Sequence, residues 1–274
     1  MTAAVATAPR IAGPAPTTVW AQTWYLTIPK LQVFVRQPAY LIITLIQPVI
    51  WLFLFGNLFR RVTELPGFGG AVSYLDYLVP GIVVMSALSS NMWTGMAVLE
   101  EIERGTLNRF LTAPIRRVAI VNSGIITQAL ATVVQSVIIV LLGWAGGAHY
   151  PGGLVGLLVL LLASVLLGTV FAALSNAIGM LARQRETIIG LNTFLLLPLT
   201  FLSAVFLPST LMPSWMRHVA AANPVSWALE ASRGALATDQ DWGVVWTRGG
   251  GLLVLAAVCV WLSVRTFRTY QKSV

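Results

Sequence analysis

Residues 154–181 read LVGLLVLLLASVLLGTVFAALSNAIGML. No Asp, Glu, Lys, Arg or His interrupts these 28 residues. A helix needs only about 20 predominantly apolar residues to cross a hydrocarbon layer roughly 30 Å thick. The run shows no alternation of apolar and polar positions, so it reads as a helix and not as a strand of a membrane barrel. A segment of this kind belongs in lipid, and the rest of the chain is read around it.

Five further apolar runs flank it. The candidate spans are 41–59, 77–99, 118–145, 154–181, 188–207 and 244–264. Composition agrees, with 57% hydrophobic and only 9% charged residues. A soluble domain carries about 25% charged residues, so a water-facing globule is excluded. The expected fold is an all-α membrane protein with six transmembrane helices. Residues 1–18, rich in Ala, Pro and Thr, read as a disordered tail without the apolar core of a signal peptide. Residues 19–37 are too polar to span and read as an amphipathic interfacial helix, with Trp20, Trp24 and Tyr25 at headgroup depth and Arg36 at its end. Residues 38–274 form a single transmembrane domain.

Lys and Arg total 17 against 9 acids, a formal charge of +8. In a soluble chain this excess would suggest nucleic acid. Here it marks loops on the cytoplasmic side, and no nucleic-acid partner is expected. With the N-terminus inside, 12 of the 17 basic residues fall in cytoplasmic segments. Arg60 and Arg61 run against the trend without reversing it. Both termini are therefore expected in the cytoplasm of a multi-pass membrane protein. Cys259 is the single cysteine, which permits no internal disulfide.

Several chemistries lack their parts. A phosphate-binding loop ends in Lys followed by Ser or Thr after a Gly-rich turn. Lys30 precedes Leu31, and Lys272 follows Tyr270 and Gln271, so the chain has no such loop. Proton- and ion-coupled transporters usually carry an acid or a histidine inside the bilayer. The six spans hold no Asp, Glu, Lys or His, which disfavours an ion-coupled secondary transporter, the competing reading. Neither an HExxH pair nor a GxSxG elbow is present for hydrolysis. No metal ligands are expected.

Residues 100–117, EEIERGTLNRFLTAPIRR, connect the second and third spans. Leu107, Phe110 and Leu111 fall at i, i+3 and i+4 and make one apolar face, ended by Pro114. Two readings stand. A short helix with an apolar tip and charged sides is shaped for a groove on another protein. A plain cytoplasmic turn packed on the bilayer would have the same composition.

The stretch 101–117 resembles the segment E-x-E-R-G-T-L-x-x-L-L-x-x-P of type-2 ABC exporter permeases, with Phe110 in place of a common Leu. Arg36-Gln37-Pro38 is similar to the R-N-P or R-Q-P that precedes that family's first span. Residues 201–234, with Pro208, Pro213-Ser214-Trp215 and Asn223-Pro224-Val225-Ser226, resemble the region between spans five and six in its daunorubicin/doxorubicin-resistance branch. The resemblance implies a permease subunit in a bacterial cell membrane. It implies a second permease subunit, identical or paralogous, and two copies of a cytoplasmic ABC ATPase that bind the ATP and Mg. This chain would bind no cofactor. The segment between spans two and three becomes a coupling helix, with Glu103, Arg104, Leu107, Arg109 and Phe110 as ATPase-docking residues. A hydrophobic drug or secondary metabolite is the implied cargo; a lipid-linked glycan or a lipid is the alternative.

Gln47, Asn91, Asn122, Gln128 and Asn192 are candidate path-lining residues, with interhelical hydrogen bonding as the equal alternative for each. The semi-apolar outer segment between spans five and six is expected to form short helices at 212–222 and 224–236. Within it Glu230 and Arg233, at i and i+3, are candidates for a paired outer gate or a plain surface pair.

Overall fold

The computed structural model describes residues 18–36, 38–59, 73–104, 117–206 and 212–270. The disordered tail expected at 1–18 therefore lies almost wholly outside the described residues. All regular structure among the described residues is helical. The helices are α1 (Val19–Arg36), α2 (Pro38–Leu58), α3 (Tyr74–Met92), α4 (Thr94–Glu103) and α5 (Arg117–Ala145). They continue as α6 (Gly153–Ala182), α7 (Arg185–Phe201), α8 (Ser214–Ala222), α9 (Pro224–Leu236) and α10 (Trp242–Tyr270).

Four stretches are long and apolar enough to cross a bilayer: Tyr74–Glu103, Asn122–Ala145, Gly153–Ala182 and Trp242–Phe267. Two further expected spans coincide with shorter helices. One is the apolar part of α2, Ile42–Leu58. The other is α7, of 17 residues, with Pro198 inside it.

α6 sits at the centre and touches α3, α4, α5, α7, α9 and α10. Leu160, Leu167 and Val170 of α6 are buried with Leu78, Val79 and Ile82 of α3, Val225 and Leu229 of α9, and Leu252 of α10. Close approach depends on small residues. A Cβ at Gly179 on α6 would come 2.6 Å from the Gly95 carbonyl oxygen on α4, so two helix backbones touch there. Large apolar side chains point outward elsewhere, among them Ile46, Phe53, Leu158, Phe194, Trp246 and Leu253. Such an outer surface suits lipid and would not suit water.

Local chemistry sets the ends. Ser73 caps α3 in a capping box with Asp76. A short connection separates α5 from α6, with Gly147 at φ 96° and Gly153 at φ 58°, where a Cβ would be strained. α6 stops at Arg183, which takes the left-handed conformation of a helix C-terminus at φ 51°. Asn223 caps α9, accepting from the Val225 N–H at 2.9 Å, and Pro224 follows at the first helical position.

Two expected spans change. The run expected as one span at 77–99 is two helices, broken at Trp93, and it extends from 74 to 103. As extended, it carries Asp76 at one end and Glu100, Glu101 and Glu103 at the other, outside the apolar interior. The span expected at 188–207 stops at Phe201 because the chain unwinds after Pro198 and passes through turns to 206. The short outer helices occur as expected, at Ser214–Ala222 and Pro224–Leu236.

Candidate functional site

The bundle end that carries Glu103 is laced by ion pairs. Lys30 on α1 lies 3.5 Å from Glu101 on α4. Arg104 reaches Glu100 one turn back, at 3.3 Å. Arg185, at the start of α7, forks onto Glu103, with Nε donating to Oε1 at 3.3 Å and a second nitrogen donating to Oε2. This hydrogen bonding raises the Arg185 guanidinium above its ordinary value. Exposed pairs like these contribute little to stability. Their role is positional: they fix α4 to both α1 and α7 just before the chain enters 105–116.

Glu103 and Arg104, expected as docking residues, are thus each engaged within the chain. Leu107, Arg109 and Phe110 lie outside the described residues. α1 exposes Trp20 and Trp24, at 75% and 54%, and buries Thr23 and Thr27. It packs on α5. Its Leu26 joins a cluster around Met180 and Phe267. Arg36 is the last residue of α1.

The polar residues of the interior resolve into two groups. Asn91 and Asn192 are buried and make interhelical hydrogen bonds. The Asn91 amide donates to the Ala87 carbonyl at 2.7 Å and to the Thr132 hydroxyl at 2.9 Å. The Asn192 amide donates to the Met92 carbonyl at 2.7 Å. The break at Trp93 explains this arrangement. Carbonyls at a helix end lose their partners, and here Thr94 donates to Asn91 at 2.8 Å while Ser175 and Asn192 donate to Met92. Ser175 also accepts the Gly95 N–H at 2.9 Å, so its hydroxyl stitches α6 across the break.

Gln47 is exposed, and Asn122 and Gln128 keep partial exposure. Gln47 sits on α2 beside Trp51, Met85 and Ser89. Gln128 faces a cavity between α1, α4, α5, α6 and α10, and Asn122 lies on α5. Thr94, Thr132 and Ser175 were not singled out from the sequence. Single hydroxyl residues in apolar runs give no local signal of their partners.

At the other end of α3 the expected Glu230–Arg233 pair does not form. Glu230 pairs with Arg248 of α10 at 2.6 Å. Arg233 turns inward and donates to the carbonyls of Ala204 at 2.6 Å, Tyr77 at 3.1 Å and Val205 at 3.1 Å. Its guanidinium carbon lies 3.6 Å from the centre of the Tyr77 ring. The cause is the unwound chain after Phe201, whose carbonyls need donors. The tyrosines serve the same strand of chain: Tyr77 donates to Ala204 at 2.9 Å and Tyr74 to Phe206 at 3.2 Å. Trp51, Phe55 and Phe59 continue from Phe206 as an aromatic cluster.

Long apolar helices, outward apolar side chains and ion pairs kept to the two ends of the bundle define a helical membrane protein. The chain belongs to the ABC-2 type transporter family, whose model matches residues 21–237. It is similar to the daunorubicin resistance ABC transporter permease protein DrrB1 of Streptomyces coeruleorubidus, 29% identical over 245 residues, covering 87% of this chain and 83% of that one. A putative transport permease, ycf38, of Porphyra purpurea is 32% identical over 213 residues, covering 77% and 72%. The probable doxorubicin resistance ABC transporter permease protein DrrC of Mycobacterium tuberculosis strain H37Rv is 25% identical over 259 residues, covering 91% and 90%.

Proposed function

We propose that this chain is the transmembrane permease subunit of an ATP-driven exporter, itself without enzymatic chemistry. The match of the ABC-2 type transporter model over residues 21–237 carries this reading. Membership of that family implies an ABC ATPase partner in general. We infer two ATPase copies, which bind the ATP and Mg, and a second permease subunit, identical or paralogous, in a bacterial inner membrane. Residues 38–274 act as one permease domain in which α2 and α7 complete six spans. The termini and the 105–116 connection face the cytoplasm.

The ion pairs support a coupling role for that connection. α4 delivers the chain into 105–116 and α5 receives it, while Lys30 and Arg185 brace α4 against α1 and α7. A push on the connection is passed to three helices at once. Leu107, Arg109 and Phe110 are the contacts to the ATPase, and Glu103 and Arg104 hold the base. The cargo is a hydrophobic drug or secondary metabolite, a reading supported by the resistance permeases among the relatives.

The test is reconstitution with a cognate ABC ATPase. ATP-dependent efflux of a hydrophobic drug is expected. Leu107→Glu and Phe110→Asp should lose ATPase binding while the chain still inserts. Normal assembly of both variants would exclude the docking assignment, and efflux of a lipid-linked glycan alone would replace the cargo.

A further inference from the structure

α7 is held by its ends more than by its flanks. Of its 17 residues only Ile188, Asn192 and Thr200 are buried, whereas α6 buries residues from Gly156 to Met180. Phe194 and Leu197 stand outward. So little buried apolar surface fixes a helix weakly, and polar contacts do the rest. Arg185, its first residue, forks onto Glu103 of α4. Asn192 donates to the Met92 carbonyl at the break between α3 and α4. Past its last turn, Tyr77 of α3 donates to the Ala204 carbonyl at 2.9 Å. Residues 185, 192 and 204 thus meet 103, 92 and 77 in reverse order. The chain runs antiparallel along one whole span, and the helix alone covers about 25 Å of it.

The far end is gripped by more donors than the near one. Arg233 of α9 donates to the carbonyls of Ala204 and Val205. Asn223 donates to those of Leu199 at 2.8 Å and Leu202 at 3.2 Å. Val205 is fully buried, and a Cβ at Gly81 of α3 would come 2.8 Å from its carbonyl oxygen. Residues 204–205 therefore lie directly on α3. A helix fixed at both ends and bare between them carries displacement along its axis, because its own hydrogen bonds resist stretching and few side contacts oppose sliding.

We propose that residues 185–206 are a connecting rod along the 74–103 span: freeing the Glu103 end loosens the grip of Arg233 on 204–205, and the converse. The purpose of the rod rests on the exporter reading, in which a push at 105–116 reaches the opposite end of the bundle through it. The coupling itself belongs to the chain alone and is tested without an ATPase. A chain that binds no ATPase leaves the rod standing, and a failed rod leaves the exporter reading standing.

The test places Val205→Cys in a Cys259→Ala background in phospholipid nanodiscs and measures its rate of modification by a charged methanethiosulfonate reagent. Asn192→Leu combined with Arg185→Gln should raise that rate about fivefold or more, the lower end of usual coupling between sites. Lys30→Gln breaks an ion pair at the same end that does not involve α7, and should leave the rate unchanged. In the reverse direction, Ile188→Cys should react faster by a similar factor in Arg233→Met, because coupling is reciprocal. Every variant must first elute monodisperse with an unchanged helical spectrum. If the combined variant does not, Arg185→Gln alone replaces it; if Arg233→Met does not, Tyr77→Phe, which removes the hydroxyl on Ala204, takes its place. A Val205→Cys rate unmoved by loosening the Glu103 end would make the two ends independent. An equal rise in Lys30→Gln would show general loosening, and either result overturns the proposal.

Discussion

Arg233 is the residue on which most backbone depends. It supplies three hydrogen bonds to carbonyls of Tyr77, Ala204 and Val205, and one face lies on the Tyr77 ring. Lysine offers a single point of donation in place of a planar fork. Arg233→Lys should cost about 2 kcal/mol and Arg233→Met about 3 kcal/mol or more, because buried carbonyls are left unpaired. Thermal unfolding in detergent checks this; an unchanged midpoint for Arg233→Met would remove the pinning role. Glu103 and Arg185 behave oppositely. Both are roughly half exposed, so Glu103→Gln should leave the unfolding midpoint nearly unchanged. ATPase stimulation by the permease should fall in Glu103→Arg and return in Glu103→Arg paired with Arg185→Glu. The sequence showed both charges but not their partners. Glu230 and Arg233 are neighbours on a helix face, yet each found a stronger partner far along the chain, and spacing carries no information about those.

Elements were more legible than contacts. Lipid demands long uncharged helices, so α6 and α5 could be placed to within a few residues. The break at Trp93 was hidden because no proline or glycine stands at it; Gly95 lies two residues on and serves helix contact. Breaks of this kind are set by tertiary donors, here Thr94, Ser175 and Asn192. The early end of α7 carried a weak signal in Pro198, masked by the hydrophobic run beyond it. Contact between α4 and α6 predicts a steric test. Gly179→Leu drives a side chain against Gly95 and should destabilise by about 1–3 kcal/mol, whereas Gly190→Ala, open to space, should not. Comparison of melting midpoints for the two variants separates packing from glycine propensity.

At the scale of the molecule, the sequence gives orientation through its basic residues, and the bundle gives polarity through its ion pairs. The proposed orientation, with the termini and the 105–116 connection in the cytoplasm, is open to a direct test. In a Cys259→Ala background, His149→Cys should react with an impermeant thiol reagent added to intact cells, and Lys272→Cys only after permeabilisation. The reverse pattern would invert the topology.

α6 borders six other helices, whereas α2 and α7 lean on few and carry outward apolar rows such as Ile42, Ile46, Phe194 and Leu197. Rigidity is therefore unevenly shared. α6 works as a fixed post, and displacing it would disturb most of the core at once. α2 and α7 resemble hinged shutters on that post, able to swing while little buried surface is broken. Backbone amides of α6 should be the last to exchange with deuterium, and those of α2 and α7 among the first of the apolar helices.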